Sequence, residues 1–147
     1  MAAIEPTAIR ARIAAAVQTA QSAWDESRFP PPLRRADTRQ VGHLAFTVGL
    51  GAVVPEPNTR RRTTQGARGV ATAVTAELTY RLRAAALVAD LDAAVDAGHN
   101  LVKAVLTTAE TDVSIEWLST DPPAIDADGT LAIITARFRA VHTYALA

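Results

Sequence analysis

The chain has no cysteine among its 147 residues. That excludes a disulfide framework and any thiolate nucleophile or metal ligand, and it fits a reducing compartment. Lysine is nearly absent too, since fourteen of the fifteen basic residues are arginine. Arginine favours planar, bidentate contacts to carboxylates and phosphates. Aromatic residues make up only 5% of the chain, so a core has to be packed finely from alanine, with Leu, Ile, Val and the few aromatics as anchors. No apolar run is long. The longest, Leu44 to Val54, is about half of the ~20 residues that span a bilayer. The opening Met1-Ala2-Ala3-Ile4-Glu5 has an early acid and no basic region ahead of an apolar one, so neither a signal peptide nor a membrane partner is expected.

What is present is one domain's worth of chain, residues 1–147, with about half of its residues apolar. Net charge is zero but unevenly divided. Residues 1–83 hold twelve arginines against six acids, and residues 84–147 hold three basic groups against nine acids, a split of +6 and −6. Such halves suit a polar subunit whose two flanks complement each other head to tail in a ring.

Hydrophobic periodicity places the elements. Pro6 to Trp24 reads as an amphipathic helix with Ile9, Ile13, Val17, Ala20 and Trp24 on one side. Pro6 suits its first turn, and Pro30-Pro31-Pro32 forbids its continuation. Leu33 to Gln40 (LRRADTRQ) is polar and basic, a loop or the frayed start of a strand. Two long strand-like runs follow, Gly42 to Val54 (GHLAFTVGLGAVV) and Val70 to Arg83 (VATAVTAELTYRLR). In the second, Val70, Val74, Ala76, Leu78, Tyr80 and Leu82 alternate with Thr75, Glu77, Thr79, Arg81 and Arg83, one buried face against one wet face. Such a strand spans roughly 45 Å, far beyond the usual ~17–20 Å. The intervening loop, Pro55 to Gly69, also exceeds the usual hairpin length of about 2–5 residues. Leu87 to Ala109 reads as a second helix with an apolar stripe of Val88, Leu91, Val95, Val102 and Leu106. Asp90, Asp92, Asp96 and Lys103 lie mostly on its other faces, and Gly98-His99-Asn100 is a kink or a break within it. Val113 to Leu118 and Thr130 to Tyr144 complete the set as strands. The order α-β-β-α-β-β predicts an α+β two-layer sandwich, an antiparallel sheet of about four strands with both helices on one face and a long β-hairpin.

Chemistry is harder to find. No G-x-S-x-G, Walker A or H-E-x-x-H pattern occurs. Gly49 and Gly51 lie within a strand with no helix after them, which argues against a phosphate loop. His43, His99 and His142 have no ligand spacing and read as surface or half-buried residues. Asp126-Ala127-Asp128-Gly129 starts like a calcium loop, but Arg137 stands where the bidentate glutamate belongs, so a tight turn is expected. Asp90, Asp92 and Asp96 read as a solvated helix face or as an acidic patch meeting a neighbour's arginines. Arg60, Arg61, Arg62 and Arg68, on the hairpin tip, are the one cluster with a functional look. They suit phosphates or a partner's carboxylates, and no aromatic interleaves with them for base stacking. No catalytic residue, cofactor or metal site is expected.

The layout resembles the tail terminator (tail completion) proteins of long-tailed bacteriophages. The resemblance is carried by the first helix with Ile9, Ile13 and Val17, the basic LRRADTRQ before HLAFTVGL, and the loop NTRRRTTQGARG returning into VTAELTYRLR. The acidic helix LVADLDAAVDAG and the final LAIITARFRAVHTYA complete it. The resemblance implies a non-enzymatic virion protein, assembled in the host cytoplasm, that caps the tail tube as a hexameric ring. It would stop tube polymerisation and offer the surface that docks to the head–tail connector, with genomic DNA passing through the lumen without sequence-specific binding. By position, Arg60, Arg61, Arg62 and Arg68 would touch tube, sheath or neck proteins, and Asp90, Asp92 and Asp96 would form a charged subunit boundary. The rival expectations are a connector or tail-tube-like ring protein, a small ligand-binding or enzymatic α+β domain with a deep polar pocket, and a nucleic-acid module using the arginine loop.

Overall fold

A computed structural model describes residues 4–26, 44–56, 67–110 and 112–145. It is an α+β structure in two layers, two helices on one sheet. The helices are α1 (Pro6–Ala20) and α2 (Leu87–Leu106). The strands are β1 (Asp25–Glu26), β2 (Ala45–Pro55), β3 (Ala67–Arg81), β4 (Ser114–Thr120), β5 (Ala124–Ile125) and β6 (Leu131–Ala145). Sheet order is β1-β2-β3-β6-β4, with β5 also on β6. The four long strands are mutually antiparallel neighbours, as expected. The two-residue strands are additional, and β1 runs parallel to β2, so the six-stranded sheet is mixed.

The centre is the β3–β6 pair, in unbroken register from Ala67↔Ala145 to Arg81↔Leu131. Fifteen residues each, these strands extend roughly 50 Å at ~3.3 Å per residue. One face collects Phe46, Val48, Val74, Ala76, Leu78, Ala132, Ile134, Ala136, Phe138 and Ala140 into the core. Both helices pack there. From α1 come Ile9, Ile13 and Val17, spaced four apart so that they share one side. Helix α1 stops at Ala20, short of Trp24. Trp24 still reaches the core by packing on Phe46 with ring centroids 6.4 Å apart, its carbonyl held by the Gln18 side chain at 2.6 Å.

The opposite face is less wet than the alternation predicts. Thr79 and Ile133 are buried on it. They are partners in register, and Ala124 of β5 stands opposite Ile133 on its other side.

Helix α2 corrects two expectations. It passes through Gly98 without a break. A Cβ at position 98 would lie 2.7 Å from Ile134 Cγ2, so the glycine marks the closest approach of helix to sheet. The buried side is Asp90, Ala94, Ala97, Gly98, Leu101, Val102, Ala104 and Val105. Of the expected stripe only Val102 is buried, while Val88 is 75% and Val95 53% exposed. Small residues win the inner side because they allow the helix to approach the sheet closely, which brings more atoms into contact than larger side chains held farther off.

Candidate assembly surfaces

The described residues offer three kinds of surface. The first is the outer side of α2. Val88, Val95 and Leu106 stand exposed along it, with Asp92 and Asp96 exposed alongside. Asp90 separates from those two acids. It is buried, and it accepts the Arg83 backbone N–H at 2.8 Å and the Arg83 guanidinium at 3.1 Å (Nε) and 2.9 Å (Nη2). This fork ties the end of β3 to the first turn of α2, where a carboxylate also complements the helix dipole. The paired carboxylate in turn raises the Arg83 pKa. Asp90 is therefore committed within the chain, and the acids left for a charged boundary are Asp92 and Asp96.

The second surface is the rim of the sheet. Beyond Phe46, the outer side of β2 has no strand on it among the described residues, and neither has the outer side of β4. Both edges carry exposed apolar side chains, Val53 and Val54 on β2, Trp117 and Leu118 on β4, with Ile125 on β5. Each edge also carries a register shift, between Leu50 and Val53 and between Trp117 and Ser119. Bulges of this kind bend an edge strand and limit indiscriminate pairing.

The third is the face of the sheet away from the helices, which holds a line of ion pairs. Arg139 bridges Glu116 at 2.9 Å and Glu56 at 3.6 Å, and Arg137 meets Asp121 at 2.7 Å. Glu56 is largely buried, and its backbone N–H donates to Gly69 O at 3.1 Å, which carries the β2–β3 ladder one residue past Pro55.

Arg60, Arg61 and Arg62 lie outside the described residues. Arg68 belongs to β3, opposite Tyr144 in register, so it sits in the ladder and not on a loop tip. The hairpin loop is correspondingly shorter on its β3 side than the sequence suggests, because pairing with β6 continues to Ala67.

Among the described residues the histidines do not converge. His99 is exposed on α2, and His43 lies outside the described residues. His142 is buried rather than half-exposed. Its Nδ1–H faces the Thr143 carbonyl at 3.3 Å, which leaves Nε2 to accept from the Thr72 hydroxyl at 2.7 Å. Burial pushes the imidazole pKa down, against smaller upward pulls from the Thr143 and Ile4 backbones and the Glu5 carboxylate. Among the described residues no group of three His, Asp or Glu side chains is placed to hold a metal ion.

Asp126 forms the expected tight turn. It accepts the Thr130 N–H at 2.8 Å, the Thr130 hydroxyl at 2.9 Å and the Leu131 N–H at 3.1 Å, and Gly129 takes φ +69°. Burial pushes this carboxyl upward, but the hydrogen bonds outweigh it and hold the pKa below the usual range. An open concavity of about 540 Å³ is lined by Tyr80, Arg81, Arg83 and Asp90. Among the described residues that line it, the carboxylate is that of Asp90, already clamped by Arg83.

Sequence reasoning missed the exposed side of α2 and the bulged edges. The first had a signal, the spacing of Ala94, Ala97, Gly98 and Leu101, which marks a close-packed side as plainly as valines mark an apolar one. The edges had none, because a strand's neighbours are not written in its own residues. Among the described residues no helix is long and apolar enough to cross a membrane. Compared with known proteins, the sequence matches no family model, and no curated protein matches it at significant similarity.

Proposed function

We propose that this chain is a structural, non-enzymatic virion protein that caps a phage tail tube as a ring, a tail terminator. In this reading it ends tube polymerisation, presents the surface that joins tail to connector and neck, and lets genomic DNA pass through its lumen. The observation that carries the reading is the disposition of contact surface. Apolar side chains stand exposed on both opposite edges of one long sheet, Val53 and Val54 on one and Trp117, Leu118 and Ile125 on the other. A subunit with two different adhesive edges associates head to tail, which gives a ring when the rotation closes. The +6 and −6 halves support the same polarity. Asp92 and Asp96 fit a charged subunit boundary, and Arg60, Arg61 and Arg62 fit contacts to tube, sheath or neck proteins.

Negative-stain microscopy at high protein concentration, with mass measured in the same buffer, tests this. Single-layer sixfold rings are expected. Long stacked cylinders would identify a tube protein instead. A strict monomer that also fails to join the ends of assembled tail tubes would remove the reading.

A further inference from the structure

Among the described residues the two outer edges of the sheet lie at one level. Gly49 on β2 faces Thr75 on β3, Thr75 faces Arg137 on β6, and Arg137 faces Ser119 on β4. The same chain of partners links Leu50, Val74, Phe138 and Trp117, then Val53, Thr72, Ala140 and Ile115, then Val54, Ala71, Val141 and Ser114. At the other end of β2, β1 pairs with Ala45 and Phe46, and Arg10 Nε donates to the Val48 carbonyl at 2.8 Å. Among the described residues the stretch of β2 with no strand on its outer side is therefore Gly49–Pro55, and Gly49–Val54 of it is level with Ser114–Ser119 of β4.

Strand direction adds a second constraint. β2, β3, β6 and β4 alternate in direction, so the two outer strands run opposite ways. Rotation about an axis along the strands preserves direction. It brings β4 of one copy beside β2 of the next, antiparallel, with no shift along the axis. Rotation without translation closes a ring, whereas an added translation would build a filament. On the helix-covered side the rows end in Leu50 and Val53 at one edge and in Ile115 and Trp117 at the other, so apolar residues meet across the seam. In the sequence Glu110, Asp112, Glu116, Asp121, Asp126 and Asp128 surround the β4 edge, and within the chain Arg12 bridges Glu110 and Asp112, Arg139 bridges Glu116 and Arg137 bridges Asp121. The β2 segment is preceded by Arg28, Arg34, Arg35 and Arg39 and followed by Arg60, Arg61 and Arg62.

We infer that the Gly49–Pro55 edge of β2 pairs antiparallel with the Ser114–Thr120 edge of β4 from a second copy of this chain, making one sheet that is continuous around the assembly. The inference rests on the ring reading and specifies the surface that closes it.

The absence of cysteine allows a clean test. Val53→Cys and Trp117→Cys are made singly and together, and a short bismaleimide joins thiols that lie close. The double variant should give a ladder that ends at a covalently closed ring. Each single variant should stay uncoupled, and a mixture of the two singles should give dimers and nothing larger. Val53→Lys and Trp117→Lys, both at exposed positions, should keep the far-UV dichroism while raising the concentration for half assembly by about tenfold or more. Coupling in a single variant would overturn the inference in favour of a two-fold edge contact. Oligomeric mass without coupling, and unmoved by either lysine, would overturn the edge pairing and leave the ring reading standing. A strictly monomeric mass, with no addition to tube ends, would remove both.

Discussion

Gly98 costs helix α2 about 1 kcal/mol of propensity relative to alanine, yet it holds the position where an added methyl group would strike Ile134 Cγ2 at 2.7 Å. Overpacking outweighs propensity here. Gly98→Ala should destabilise the fold by about 1–3 kcal/mol, measured as a lower denaturant midpoint. A midpoint that rises would mean that Ile134 can turn aside freely. His142 makes a second residue-scale prediction. Its folded pKa lies below the 6.5 of the free imidazole, so the unfolded chain takes up the proton first. Stability should be full above about pH 6.5 and fall as the pH drops through that value toward the lower folded pKa. His142→Gln, which can still bond Thr72, should flatten the dependence between about pH 7 and pH 5, read from thermal midpoints across that range.

At the scale of elements, α2 has two apolar sides of different fate. Leu101 is wholly buried, and Val95 is half exposed. Leu101→Ala should therefore cost about 2–5 kcal/mol, and Val95→Ala no more than about 0.5 kcal/mol, both measured by chemical denaturation. Equal losses would mean that the outer side is covered in the isolated protein. The sheet edges follow the same logic. Their exposed valines and tryptophan add little to the stability of one copy, and their contribution is expected between copies.

For the whole molecule, the consequential quantity is the opposition of charge between the halves, +6 over residues 1–83 and −6 over residues 84–147. Exposed charges are screened beyond about 10 Å at 0.1 M salt. Assembly should accordingly weaken as salt is raised from about 0.05 M to about 0.5 M, followed by mass in solution. Insensitivity to salt would assign the cohesion to the apolar edge residues alone.

The helices, the long strands, their order and the α+β class are legible in the sequence, because each is written in local periodicity. Ile9, Ile13 and Val17 repeat at four, and Ala132 to Ala140 alternate at two. So is the Asp126 turn, which needs only Asp, Thr and Gly at short range. Which strands became edges, which side of α2 turned inward, and the withdrawal of Asp90 to bind Arg83 were decided by tertiary structure. Those outcomes depend on groups brought together across the fold, such as Gly98 on Ile134 or Val53 level with Ile115. Burial and edge position are properties of neighbours, and neighbours exist only once the chain has packed.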